Sequence, residues 1–395
     1  DLHITTSQFA WFASIFYIGY LVSAEPMTWM LQRYPTGRVL GTICFLWGIV
    51  VIPGLGLMTP FWWKLDEQPY CFNGVAATVG DFLVYGLGHA TNSKVPPWAL
   101  IFLVLGALTT CWGAVMFLTL PDSPVFARFL SQRQKAIAIR RVASNRTGTK
   151  NKVFKYYQLV QAFSDPKTYL LFIASIAAQI PNGVLSNFSS IIISGLGFTV
   201  FQTTLLDIPS NVVQIVSLVL SGYFAGRFKN SRSLMMFIGN ATCIVAAAAL
   251  TYGPHDQKWG RLVAFWFTSC QSVGFSLSLV MISANVGGFT KRQVTTVVTF
   301  IVSCLANIAG PHVLLQSEAA IGYPTATKAM MAGYVIKTAC HLALALYMWR
   351  SNRMRDRAAA AAGENVPEEE RARRAEEEGM RDVTDADNKW FRYVL

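Results

Sequence analysis

Charge is scarce in this sequence. Asp, Glu, Lys and Arg make up 14% of 395 residues, while 53% are apolar and mean hydropathy is +0.38. Soluble globular domains carry charge on about a quarter of their residues, so composition excludes a soluble fold of this length. Histidine is scarcer still, at 5 residues, and the 7 cysteines form no C-x-x-C pair. Cys44, Cys71, Cys111, Cys243, Cys270, Cys304 and Cys340 nearly all fall in apolar runs. There they read as small buried hydrophobes rather than metal ligands or disulfides. H-E-x-x-H, G-x-S-x-G and Gly-rich nucleotide-binding patterns are missing, which argues against an enzyme and implies no cofactor.

What the sequence has instead is long apolar runs. A hydrocarbon core of about 30 Å needs about 20 apolar residues per helical crossing. Ten candidate spans meet this, at roughly 8–31, 39–62, 71–90, 98–119, 168–193, 203–225, 233–252, 260–287, 294–315 and 324–349. Lipid offers no hydrogen-bond partners, so runs this long are helices. The fold class expected is an all-α polytopic membrane protein.

The net charge of +12 might point to nucleic acid, but its placement explains it better. Between Leu120 and Thr168 stand ten Lys or Arg against two acids, Asp122 and Asp165. Cationic loops stay on the cytoplasmic side of a bilayer. Residues 120–167 therefore form a cytoplasmic central loop between an N-terminal bundle (1–119) and a C-terminal six-helix bundle (168–350). Residues 351–395 follow as a solvated tail, with Glu369–Arg373 and Glu370–Arg374 as exposed i,i+4 pairs.

The two bundles repeat. Arg33-Tyr34-Pro35-Thr36-Gly37-Arg38 and Arg227-Phe228-Lys229-Asn230-Ser231-Arg232 share an Arg-aromatic-x-x-small-Arg pattern. Internal repeats are characteristic of transporters. From Arg232 to Arg350 is 118 residues, but from Arg38 to Leu120 is 82, a deficit of 36, about one helix with its loop. The expectation is a twelve-span architecture with about ten spans present, the first and fourth being absent.

Several stretches resemble a known family: LPDSPVFARFLSQRQ, DPKTYLLF, IPNGVLSNF, SGYFAGRFKNSR and the terminal FRYVL. They are similar to the allantoate permease branch of the anion:cation symporters, a fungal group of the major facilitator superfamily. The resemblance implies two pseudo-repeated helix bundles and proton-coupled uptake of a small organic anion such as allantoate, ureidosuccinate or a vitamin carboxylate. It departs from the family where an RFxxGxxE-type fourth helix is missing and where Pro97-Trp98-Ala99-Leu100-Ile101-Phe102 lacks an Arg. The competing reading is a truncated paralogue that does not transport, or an incomplete gene model of such a permease. The expected partners are the lipid bilayer, the anion and a proton, with no nucleic acid. The expected state is a monomer in the plasma membrane.

Candidate site residues follow from polarity inside the spans. Glu25, beside Pro26 in an apolar run, is the expected proton-coupling group, with Asp207 a weaker one. Gln179, Asn182 and Asn187 surround the break Pro181-Asn182-Gly183, and Asn211 and Gln214 follow Pro209 with Ser210. With Gln271 and Asn307 they form the expected substrate-binding set, and Asn285 and His312 extend the polar cavity. Lys337 and His341, at i,i+4 on the last span, are expected to be peripheral. Arg33, Arg38, Arg227 and Arg232 match the superfamily's cytoplasmic loop motif, which implies a gating role.

Overall fold

The computed structural model describes residues 154–395 except 229, 255, 316, 319–322 and 365. Upstream it describes positions 11, 14, 15, 17–23, 42, 86, 97–119, 127 and 130–143. Glu25, Arg33 and Arg38 lie outside the described residues. The helices are α1 (Pro97–Thr119), α2 (Gln132–Ala143), α3 (Tyr156–Ser164), α4 (Pro166–Gly195), α5 (Val200–Arg227) and α6 (Arg232–Tyr252). They continue with α7 (Lys258–Thr268), α8 (Gln271–Asn285), α9 (Phe289–Ala309), α10 (Pro324–Ala361) and α11 (Glu368–Met380). No strand occurs among the described residues. Six stretches are long and apolar enough to cross a membrane, and α7 with α8 forms one of them, interrupted at Ser269-Cys270.

Local chemistry sets the helix ends. Asp165 accepts from the Lys167 amide at 3.0 Å, with Pro166 at the first helical position of α4. Thr199 and Gln202 close a capping box on α5. The orphan amides of α9 are met from far along the chain. Asp382 accepts from the Phe289 amide at 2.6 Å, and Gln158 Oε1 accepts from Thr290 at 2.9 Å and Lys291 at 3.3 Å.

Glycine lets the bundle pack tightly around α4. A Cβ on Gly333 of α10 would stand 2.7 Å from the Ala177 carbonyl and 2.9 Å from Pro181 Cγ. A Cβ on Gly310 would stand 2.7 Å from the Ile180 carbonyl, and one on Gly183 would stand 3.1 Å from the Asn307 carbonyl. Small residues at membrane helix contacts let backbones approach, and the contact area is van der Waals. Outward faces stay apolar: Val212, Val216, Val219 and Leu220 of α5 are all exposed. Upstream, Ser14 contacts Ile308 and His312, and the Tyr20 ring stacks edge-on with Phe300 at 4.7 Å. That ordering runs the first described helical residues antiparallel along α9.

The tail departs from the expectation of a solvated extension. Helix α11 is largely exposed, with Glu370 paired to Arg373 and Arg374 rather than Glu369 to Arg373. Beyond it the chain folds back onto the bundle. Phe391 and Tyr393 join a core with Leu171, Met281 and Met348. Asn285 exchanges two hydrogen bonds with Val394, and Asn352 exchanges two with Tyr393. Asp385, its side chain fully buried, is bonded by the ammonium groups of both Lys167 and Lys291, and each lysine also reaches Asp165. The hydroxyl of Tyr393 donates to the same carboxylate at 2.8 Å. Burial alone would raise the Asp385 pKa, but Lys167 and Lys291 outweigh it and hold the group at about 2. The reason for the departure is charge: two lysines at the starts of α4 and α9 demand a buried counter-charge, and the tail supplies it.

These contacts place the α5–α6 loop, the α8–α9 loop, α3 and the tail at one end of the bundle. Lys155, Lys167, Arg232, Lys291 and Arg355 are gathered there. Arg227 is exposed in the last turn of α5, and the Arg232 amide donates to the Leu395 carbonyl at 3.3 Å.

Candidate functional site

Helix α4 carries Pro181 in its interior, which removes a backbone donor and frees the Ala177 carbonyl. Around this irregularity four amide side chains from three helices join in series. Gln271 Nε2 donates to Asn182 Oδ1 at 3.3 Å, and Asn182 Nδ2 donates to Asn307 Oδ1 at 3.2 Å. Asn307 Nδ2 then donates to Gln179 Oε1 at 3.1 Å and to the Ser303 carbonyl at 2.9 Å. Gln179, Gln271 and Asn307 are buried, whereas Asn182 is half-buried and Ser186, one turn on, is exposed. The series is therefore approachable from the Asn182 side.

The series is not saturated. Gln271 Oε1 is buried with no hydrogen-bond partner among the described residues, and so is the hydroxyl of Ser175, one turn before Gln179. A buried polar atom without a partner costs on the order of 1–3 kcal/mol, so an acceptor held open here is suited to an N–H group brought by a ligand.

A second polar layer stands behind the first. Lys337 Nζ donates to the Gln271 backbone carbonyl at 2.8 Å, at the start of α8 where the crossing is interrupted. The missing side chain of Gly274 makes room, since a Cβ there would lie 2.8 Å from Lys337 Cε. Asn240 Nδ2 donates to His341 Nδ1 at 2.9 Å. Ser278 gives its only proton to the Gly274 carbonyl at 2.6 Å, so His341 Nε2–H donates to the Ser278 oxygen at 3.0 Å. That is the Nε2-protonated neutral tautomer. Lys337 and His341 are 0% and 4% exposed. The expectation that they are peripheral is corrected: α10 packs against α4 and α6, and the face bearing these residues points into the bundle. The signal was present as a cation inside an apolar run, which is unfavourable unless the bundle interior receives it.

On α5, Ser210 bonds Ser269 at 2.7 Å, and Gln214 donates to Ser272 at 2.6 Å. Gln214 thus meets α8 one residue after Gln271 and stands beside the amide series. Asn211 lies half-buried on the same helix. Asn187 is in α4, and its side chain is outside the described residues. Two expected cavity members go elsewhere. Asn285 holds the tail, and His312 meets Ser14 at 3.2 Å and the Trp11 ring at 5.3 Å. Ser269 and Ser272 were not expected, because no Pro or Gly marks the break between α7 and α8.

No group of three or more metal-ligating side chains occurs among the described residues. The arrangement suits a ligand held by neutral amide donors and acceptors with one cation behind them.

Comparison with known proteins gives this arrangement a setting. The pattern of the Major Facilitator Superfamily matches residues 70–311. An uncharacterized transporter of Schizosaccharomyces pombe is 32% identical over 428 residues, spanning all of this chain and 80% of that protein. The allantoate permease of Saccharomyces cerevisiae is 28% identical over 438 residues, spanning all of this chain and 79% of that protein. Among solved structures, the proton:xylose symporter XylE bound to 6-bromo-6-deoxy-D-glucose aligns with a TM-score of 0.55 at 13% identity, over 88% of this chain and 87% of that one. That likeness is one of fold. With the superfamily pattern over more than half its length and a relative of 32% identity, the chain belongs to the major facilitator superfamily, as an integral, multi-pass membrane transporter of small molecules.

Proposed function

We propose that this transporter takes up a small organic anion of the allantoate, ureidosuccinate or vitamin carboxylate type together with a proton, as a monomer in the plasma membrane. The observation that carries the reading is the series of four amides with its spare acceptor, Gln271 Oε1. A ureido group offers N–H donors and a C=O acceptor, and the amides answer both. Lys337, bonded to the Gln271 backbone, contributes positive charge behind the site that favours an anion. The similarity to an allantoate permease supports the same class. Gln179, Asn182, Gln271 and Asn307 then bind, Gln214, Asn211 and Asn187 border the site, and Arg33, Arg38, Arg227 and Arg232 gate it. Glu25 is the coupling group that the sequence offers first.

The test is uptake of labelled allantoate, ureidosuccinate and biotin into liposomes containing the purified chain, with an inward proton gradient. Saturable uptake of one of them, with KM raised about tenfold by Gln271→Leu at unchanged thermal stability, is the expected result. Absence of saturable uptake for all three, from protein that is folded and inserted, overturns the proposal.

A further inference from the structure

The six membrane-crossing stretches described here contain few acids. Asp356 lies in the basic-end extension of α10 and bonds Arg392 at 2.7 Å. The other is Asp207, inside the apolar stretch Leu205–Arg227 and half-buried. A carboxylate within a span is costly, and such groups normally pair with a cation or lie on an ion pathway.

Asp207 has no such cation among the described residues. Its hydrogen-bond partner is the hydroxyl of Ser189, at 3.0 Å on α4. Helices α4, α6, α7 and α8 pack against α5. Their charged or titratable groups are Lys167 and Tyr169 on α4; Arg232, Cys243 and Tyr252 on α6; and Lys258 and Arg261 on α7. Tyr223 and Arg227 lie on α5 itself, and Cys270 precedes α8. None of them bonds Asp207: Lys258 packs on Gly197, Arg261 donates to the Leu250 carbonyl at 3.1 Å, and Lys167 and Arg232 belong to the basic end.

Geometry connects this acid to the amide series. Asn182, Ser186 and Ser189 stand at steps of four and three residues, so they share one face of α4. Ser189 is about 10 Å along the helix from Asn182 by the rise per residue. It lies towards the end opposite the basic loops. A line of hydroxyl and amide groups thus leads from Asp207 to the place where Asn182 opens.

We propose that Asp207, rather than Glu25, is the proton-carrying residue of this transporter, loaded from the side opposite the basic loops. This rests on the reading of proton-coupled transport above. A proton from water adds to the carboxylate, giving a neutral carboxylic acid whose O–H donates to Ser189 Oγ. When the bundles rock, the same proton returns to water on the basic side and the carboxylate is restored. Carrying one proton with a monovalent anion moves no net charge.

Two experiments on the full chain test this. In the first, detergent-purified protein is treated with dicyclohexylcarbodiimide, which captures protonated carboxyl groups in apolar surroundings, and modified peptides are read by mass spectrometry. Modification at Asp207 is expected, falling severalfold from mildly acidic to mildly alkaline pH; no modification at Asp207 at any pH overturns the proposal and needs no substrate. In the second, gradient-driven uptake of allantoate is compared with allantoate counterflow at equal pH. Asp207→Asn is expected to reduce the former by about tenfold or more while leaving counterflow within about twofold, with Asp207→Glu restoring drive. Undiminished gradient drive in Asp207→Asn, or its loss in Glu25→Gln alone, overturns the proposal. Wild-type protein lacking both uptake and counterflow instead counts against the substrate class.

Discussion

Replacing Asp385 by Asn removes one negative charge from a site built around it. Lys167 and Lys291 have side chains 2% and 1% exposed, and after the change they share one remaining acid, Asp165. Breaking a buried ion pair by removing one partner costs about 3–5 kcal/mol, because a buried charge is left uncompensated. Linkage gives a compatible figure. A carboxylate held at about 2 against an ordinary value near 3.9 contributes on the order of 2–3 kcal/mol at neutral pH. The folded pKa is depressed, so this stabilisation is present above about pH 4 and is lost as pH falls towards 2. Thermal unfolding of detergent-purified protein is the assay, with the midpoint expected to drop by on the order of 3–6 °C at neutral pH. The difference between the two proteins should be constant through neutral pH and close only in strong acid. Asp385→Asn combined with Lys291→Met should recover part of the loss, since the excess charge goes with the lysine. A midpoint unchanged by Asp385→Asn, or purely additive losses in the double variant, would refute the argument that the tail supplies a required counter-charge.

Gly287→Ala should mimic that loss, because a Cβ there would stand 2.5 Å from the Asp385 amide and push the tail away; the same unfolding assay checks it. Gly333→Val should cost about 1–3 kcal/mol by forcing α10 off the Ala177 carbonyl and Pro181, and lower the yield of monodisperse protein on size exclusion. His341→Ala leaves Asn240 Nδ2 without its buried acceptor and removes the donor to the Ser278 oxygen, which keeps its bond to the Gly274 carbonyl; it should cost on the order of 2 kcal/mol, read as a lower midpoint.

The C-terminal crossings were legible because lipid demands long apolar runs, and these set helix positions within a few residues. Residues 168–193, for instance, were expected where α4 runs from Pro166 to Gly195. All four members of the amide series, Gln179, Asn182, Gln271 and Asn307, were legible as intramembrane amides. Gln179 and Asn182 are spaced to share a face, and a proline beside them marks a broken turn. What sequence spacing does not carry is the identity of the partner helix. Lys337 and His341 share a face in any helix, and only packing against α4 and α6 decides that this face is inward. The tail was read as solvated because its residues are polar, yet the cations that bury Asp385 lie 218 and 94 positions away. The interruption at Ser269-Cys270 carries no residue type that announces it. Glu25, Arg33 and Arg38 lie outside the described residues.

The glycine contacts around α4 bear on how the molecule transmits force. A proline in a membrane helix is often a joint at which the two halves flex. Here the segment around Pro181 is gripped from one side by Gly333 and from the other by Gly310 and Asn307, at backbone-to-backbone range. A bend would have to open both contacts at once. The turn at Pro181 therefore behaves as a keyed splice in a beam rather than as an elbow, and torque applied at one end of α4 arrives at the other. Alternation in this bundle is then the tilting of a stiff block, with the amide series riding on its axis.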